Sequence, residues 1–334
     1  MKKIETAWIE TGRGLYGGQI YNSIARKAIE PFCNVEHILV RNKILPGSIL
    51  GNIEILSRLM MLAGQRDVWI REIPALITMN KKRTKGAQVA LIHHDDFSGY
   101  NSLKRFALAK LWKKGLENLK NCDQIVTVSE FWRDYYQSRG LKNLNVIYNA
   151  FNMEDYDISE DSALDFARKY DLADKPIVYI GNCQKAKGVL ESYQALKDLD
   201  VHLVSSGLPL LRTPARNLLI EYQDYLKLLK AASVVVAMSK FDEGWCRTAH
   251  EAMLLKTPVV GSGRGGMKEL LNGGGQTVCS DFRDLKKIVM SILESDQKAF
   301  EMGQSGYGFA RKFTISRMSS GWKEVMEKTV SCNA

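Results

Sequence analysis

Glu243 and Glu251 have seven residues between them, in the stretch FDEGWCRTAHE (241–251). A carboxylate accepts hydroxyl hydrogen bonds on both oxygens, so an acid pair suits a polyhydroxy ligand. Were the intervening residues fully helical, the two would lie about 12 Å apart along the axis, roughly the span from a sugar to the ribose of the nucleotide carrying it. Downstream, Gly263-Arg264-Gly265-Gly266 follows a short apolar run and precedes Met267 and Lys268 at the start of a short helix. Glycines admit close backbone approach, and a helix N-terminus offers free N–H groups to an anion. Upstream, Gly181, Asn182, Lys185, Lys187 and Gly188 lie in one loop after a strand, where the lysines suit a diphosphate. Each feature has a plainer alternative: acids favoured in the first turns of a helix, a glycine demanded by a strand-to-helix turn, and a solvated basic loop.

Two further sets lie in the first half. Gly12 to Gly18, GRGLYGG, follows the first predicted strand. It matches a dinucleotide fingerprint only loosely, and the second strand runs into Arg41 and Asn42 rather than an acid, which argues for an active-site loop over a nicotinamide site. His93-His94-Asp95-Asp96 ends another strand. Adjacent side chains on an extended chain point opposite ways, so His93 and His94 do not readily share one metal ion.

The elements that must position these residues read as strands alternating with helices. Strands are predicted at 4–9, 35–40, 68–73, 89–93, 124–128 and 146–148, then at 177–180, 201–205, 218–220, 233–238 and 258–261. This predicts an α/β protein of two Rossmann-like, doubly wound domains, residues 1–152 and 153–334, facing a cleft, with ligands at the carboxyl ends of strands. The final helical patterns fall near 282–294, 297–311 and 315–330, and the last of them is a candidate to cross back to the first domain.

The chain has 334 residues and a formal net charge of +10. Residues 1–150 hold 23 Lys+Arg against 13 Asp+Glu, which accounts for the whole excess. The segment from Ser102 to Asn121 places Leu108, Leu111, Trp112, Leu116 and Leu119 on one helical face and Lys110, Lys113, Lys114 and Lys120 on the other. Together with Lys81, Lys82, Arg83 and Lys85, this is a candidate surface for an anionic membrane or a phosphate-bearing acceptor, against the plainer reading of an amphipathic helix packed on its own sheet. The arginines and lysines lack interleaved aromatics, which argues against nucleic acid. Six dispersed cysteines argue against a disulfide framework or a zinc site. No run of about 18 apolar residues and no signal-peptide core is evident, so a cytoplasmic location is expected, with peripheral contact at the inner face of a membrane as its variant.

Taken together, the chain resembles the retaining family 4 glycosyltransferases, which have the GT-B fold of two Rossmann-like domains. The likeness rests on Glu243 and Glu251 for the family's acid pair, Gly265 and Gly266 for its glycine turn, and Gly181, Lys187 and Gly188 for part of its phosphate motif. Ile147-Tyr148-Asn149 resembles the family's crossover, and Gly17 and Gly18 match its first glycine pair. Two departures stand out. Asn182 occupies the place of an arginine, for which Arg247 or Arg264 are the candidate substitutes. The usual Glu-Gly-Phe-Gly reads Glu243-Gly244-Trp245-Cys246.

The resemblance implies transfer from a UDP- or GDP-sugar to a sugar, glycan or lipid-linked acceptor with retention and no obligatory metal or other cofactor. Glu251 would hold the ribose and Glu243 the sugar ring. Lys187, Arg247 and the Gly265 and Gly266 amides would face the diphosphate, and His93 or His94 the sugar or the acceptor. Alternatives are a nucleotide-sugar epimerase on the same fold, a nucleic-acid binder, and a non-catalytic partner subunit.

Overall fold

The computed structural model describes residues 2–11, 17–42, 49–98 and 102–331. Residues 12–16 of the first glycine loop, and Cys332, lie outside them. The chain divides into two units, Met1–Ala150 with Ile315–Ala334, and Phe151–Thr314.

The first unit runs β1 (Ile4–Thr11), α1 (Gly17–Ile29), β2 (Cys33–Val40), α2 (Ile49–Met61), β3 (Gly64–Arg71), α3 (Ile73–Ile77), β4 (Thr84–Ile92), α4 (Ser102–Leu119), β5 (Gln124–Thr127), α5 (Glu130–Gln137) and β6 (Leu144–Val146). The strands form one parallel sheet in the order β2-β1-β3-β4-β5-β6. Strand order reverses between β1 and β3. Right-handed crossovers therefore put α1 on one face and α2 to α5 on the other. Ala7, Ile9, Val68, Ile70, Val89 and Leu91 are fully buried, as strands covered on both faces require.

The second unit runs α6 (Glu160–Lys169), β7 (Ile177–Asn182), α7 (Val189–Leu196), β8 (His202–Ser206), β9 (Arg216–Leu218), α8 (Tyr222–Ala231), β10 (Val234–Ala237), α9 (Arg247–Leu254), β11 (Val259–Gly261), α10 (Met267–Gly273), β12 (Thr277–Val278), α11 (Phe282–Leu293) and α12 (Asp296–Ala310). Its parallel sheet has the order β12-β11-β10-β7-β8-β9, with the reversal between β7 and β10. The core between this sheet and its helices holds Val178, Ile180, Val234, Val236, Val260, Leu285 and Val289. After Thr314 the chain returns to the first unit as α13 (Ile315–Ser331). There Trp322 is fully buried with its ring 5.2 Å from that of Trp8, and Ser319 Oγ donates to the Ala28 carbonyl at 2.7 Å.

Two α/β units with parallel sheets are what the alternation of patterns predicts. Three local expectations are corrected. The strand expected to reach Ile73 stops at Arg71, because Ile73-Pro74 opens α3 instead, and a proline fits a helical first turn. Leu111 is 41% exposed rather than packed: α4 buries Trp112, Asn118 and Leu119, one helical step around, with Asn118 Nδ2 donating to the Leu76 carbonyl at 2.7 Å. The two-residue strand β12 was not anticipated. The five described cysteines are free and buried.

Candidate functional site

In the second unit, three loops leave the carboxyl ends of the neighbouring strands β7, β10 and β11, at the reversal of strand order where open α/β sheets bind ligands. The first loop turns tightly through Lys185 to Lys187 and ends at Gly188. Gly188 has φ +69°, and a Cβ there would stand 2.2 Å from the Met238 carbonyl, so only glycine lets this turn press onto the end of β10. The Lys240 amide donates across to the Ala186 carbonyl at 2.8 Å.

The turn delivers Lys187 Nζ to 2.5 Å from Glu243 Oε1, and Ser239 Oγ donates to the same oxygen at 2.5 Å. Burial by itself would lower the Lys187 pKa, but the charge of Glu243, that of Cys246 and the hydrogen bond to Glu243 together hold the ammonium above its ordinary value. Lys187 keeps 29% of its side chain exposed against 8% for Glu243, so the cation faces solvent while the carboxylate is covered.

The third loop is locked onto the second. Gly265 bridges Glu243 backbone to backbone, and the Gly266 amide donates to the Glu243 carbonyl at 2.9 Å. Gly265 has φ +63°, and a Cβ there would fall 2.3 Å from the Glu243 carbonyl oxygen. The expectation that both glycine amides face an anion is thereby corrected: the Gly266 N–H is engaged in holding Glu243. Arg264 pairs with Asp242 at 3.2 Å, with 47% of its side chain exposed. Lys185 is exposed, and Gly181 ends the buried run of β7. Asn182 Oδ1 accepts from the Tyr179 hydroxyl at 2.8 Å and from Ser206 Oγ at 3.3 Å.

Glu251 sits on α9, which starts at Arg247. It is 3% exposed, and both of its oxygens carry hydrogen bonds: Oε1 accepts from Arg247 Nη2 at 3.1 Å and from the Tyr222 hydroxyl at 3.2 Å, and Oε2 from the Tyr225 hydroxyl at 3.1 Å. Burial would lower the Arg247 pKa, but Glu251, with Tyr156 and Tyr222 adding to it, more than offsets this and the guanidinium stays raised. Arg247, expected toward a diphosphate, is thus the partner of Glu251, and its guanidinium also lies 4.4 Å from the Phe151 ring centroid. Between the two acids sits Cys246. Burial, then the charge of Glu243, pushes its thiol up to about 12, with Lys187 opposing and Glu251 adding to the rise.

The first unit gathers a separate set at its own reversal of strand order. Gly18 opens α1 after β1, and a Cβ on it would stand 3.2 Å from His93 Cδ2. His93, rather than His94, is the histidine set against this glycine. Its Nε2 lies 3.1 Å from Asn22 Oδ1 and 3.5 Å from Glu72 Oε1, while Asn22 Nδ2 donates to Glu72 Oε1 at 2.6 Å. An amide oxygen facing Nε2 assigns the ring proton to that nitrogen. Asp95 accepts from Trp112 Nε1 at 2.8 Å and is a structural partner of α4.

Five residues of these sets were not singled out in the sequence: Ser239, Tyr222, Tyr225, Asn22 and Glu72. Weak signals exist for each. Ser239 and Glu72 lie within two residues of strand ends, Asn22 stands one helical turn after Gly18, and Tyr222 and Tyr225 share an i, i+3 face.

Residues 163–309, inside the second unit, match the family model described as glycosyl transferases group 1. The chain is 21% identical over 224 residues to an uncharacterized glycosyltransferase of Methanocaldococcus jannaschii, a match covering 62% of this chain and 60% of that protein. It is 22% identical over 296 residues to spore coat protein SA of Bacillus subtilis, covering 77% and 75%. Among solved structures, it superposes on the HepE protein of Anabaena in complex with UDP-glucose with a TM-score of 0.79, covering 98% of this chain and 100% of that one at 16% identity. It superposes on sucrose-phosphate synthase from Thermosynechococcus elongatus with a TM-score of 0.83, covering 99% and 100% at 15% identity. The two parallel sheets with flanking helices are therefore the GT-B fold, and the family match supports sugar transfer as the reaction class.

Proposed function

We propose that this protein transfers a sugar from a nucleoside-diphosphate sugar to an acceptor hydroxyl, with retention at the anomeric carbon. The observation that carries the reading is the convergence of Lys187, Glu243 and Gly265 from three loops at the switch point of the second sheet. Breaking a bond between a sugar and a diphosphate leaves negative charge on the departing phosphate. A preorganised cation that reaches solvent beside a buried acid fits that demand. On this reading Lys187 leaves Glu243 for the diphosphate, aided by the Gly265 amide and the amide of Asn182, whose oxygen is already engaged. Glu243, oriented by Ser239, receives the hydroxyls of the sugar ring.

Glu251 holds the ribose. A carboxylate has about four acceptor sites, so three internal donors leave room for one ribose hydroxyl, and a second enters by displacing Tyr222. Tyr222 is the exposed donor of the three, at 40%. Arg247 holds Glu251 in place for this task through its hydrogen bond to Oε1. The second unit is the donor side. The His93, Asn22 and Glu72 set, with Gly18, serves the sugar, glycan or lipid-linked acceptor in the first unit. The UDP complex of the fold relative favours a UDP-sugar over a GDP-sugar.

Calorimetric titration with UDP, GDP and UDP-glucose, followed by turnover assays, tests this. Lys187→Ala and Glu251→Ala are each expected to weaken donor binding or turnover at least tenfold, about 1.4 kcal/mol or more. Absence of any nucleotide binding by the unaltered protein, or unchanged constants in both variants, refutes the reading.

A further inference from the structure

The outward face of α2 (Ile49–Met61) departs from what a solvated helix shows. Leu50, Ile53, Ser57, Met60 and Met61 fall within an arc of about 100°. Four of these five are large and apolar, and their exposures are 64%, 56%, 59% and 60% for Leu50, Ile53, Met60 and Met61. The inward face is apolar as well: Ile55 and Leu59 pack with Ala7, Ile9 and Trp69. The helix carries two charges, Glu54 and Arg58, and they pair with each other at 2.8 Å. A surface helix ordinarily keeps its polar residues outward; this one is apolar on both sides.

Cations stand at its end. Arg83 Nη2 donates to the Met61 carbonyl at 3.0 Å, which brings the exposed turn Lys81-Lys82-Arg83 beside Met60 and Met61. Residues 1–150 also carry the whole of the excess positive charge. An aliphatic stripe flanked by a basic turn matches one kind of partner: a surface whose boundary is anionic and whose interior is hydrocarbon. A second copy of the chain fits less well, because a two-fold contact through this face repeats the same basic turn on both sides.

We propose that α2 and the 81–83 turn form an interfacial docking surface for a bilayer containing acidic phospholipid. Leu50, Ile53, Met60 and Met61 would enter the headgroup boundary, and Lys81, Lys82 and Arg83 would meet phosphates. The sequence pattern pointed to α4 together with Lys81, Lys82, Arg83 and Lys85; the proposal keeps the 81–83 turn and sets α2 beside it in place of α4, and it does not depend on the donor-site reading.

Flotation of the full chain with vesicles of phosphatidylcholine, and of phosphatidylcholine with phosphatidylglycerol, tests it. Partition onto the acidic vesicles is expected to exceed that onto neutral ones by about tenfold or more. Two double variants, Ile53→Gln with Met60→Gln and Lys81→Gln with Lys82→Gln, should each remove most of that gain with an unchanged melting temperature and unchanged nucleotide affinity. Equal partition onto both vesicle types, no partition at all, or full binding by either folded variant overturns the proposal. So does a dimer of the unaltered protein that the aliphatic variant dissociates, because it assigns the face to self-association.

Discussion

The carboxylate of Glu251 accepts from three side-chain donors, and that bears on how it binds anything. Tyr225 lies deeper and holds Oε2, whereas Tyr222 is partly exposed and shares Oε1 with Arg247. The two tyrosines therefore should not be equivalent. Tyr225→Phe removes a part-buried donor that orients the acid, and is expected to weaken nucleotide binding by about 1 kcal/mol, roughly fivefold. Tyr222→Phe removes a donor that competes with the ligand, and is expected to leave affinity unchanged or tighter. Calorimetry on the two variants checks this, and equal losses would contradict it. Glu243, Glu251 and Lys187 were legible in the sequence because acids and a lysine between glycines imply charge chemistry by type alone. The tyrosine partners were not, because a hydroxyl declares its target only once α8 is packed against α9.

Elements set the precision of these contacts, and the glycine turn after β11 is the clearest case. Gly265 lies in left-handed backbone with no room for a Cβ beside Glu243. Gly265→Ala is expected to destabilise the protein by about 1–3 kcal/mol and to abolish most turnover, since strain there displaces Glu243 directly. Gly308→Ala is the control. It lies within α12 with nothing within 4 Å of the added carbon, and should be neutral or stabilising by about 0.5–1 kcal/mol. Urea unfolding midpoints for the two variants decide the matter, and comparable shifts would refute the packing argument. At this scale the sequence was largely readable: every strand but β12 overlaps a predicted run, though β6 and β9 begin two residues earlier than predicted and each share only one residue with the predicted run. β12 has no such run, because two residues make no pattern. The extension of β3 to Ile73 failed because a β-branched residue before proline reads as extended until tertiary packing opens a helix there. Leu111 failed because a wheel gives the apolar side of α4 but not which edge of it meets the sheet.

At the scale of the whole molecule, the second unit is one uninterrupted segment whose two ends are fastened together. Phe151 pairs with Thr314 in an isolated bridge, and the Phe151 amide donates to the Phe313 carbonyl at 3.0 Å. The fastening is filled by His250, stacked on Phe151 at 4.0 Å and set edge-on to Phe313 at 5.0 Å. Its Nδ1 accepts from Trp245 Nε1 at 3.1 Å, and its Nε2 faces the Ala310 carbonyl at 3.1 Å, an arrangement for a neutral ring. Burial first, then Arg247, lowers its pKa to about 3, against the pull of the Ala310 carbonyl. A depressed histidine stabilises fully above its unfolded pKa of about 6.5, and that contribution is lost as pH falls toward 3. By about pH 5 the loss is on the order of 2 kcal/mol. Melting temperatures at pH 7 and pH 5 should therefore drop less for His250→Gln than for the unaltered protein; parallel drops would rule out His250 as the titrating group. The first unit, by contrast, is complete only when α13 brings Trp322 back against Trp8. During synthesis this inverts the expected sequence of events. The later-made middle segment holds everything it needs to fold as soon as Thr314 clears the ribosome, while the earlier-made half must wait, part-built and open to chaperones, for a helix translated after it.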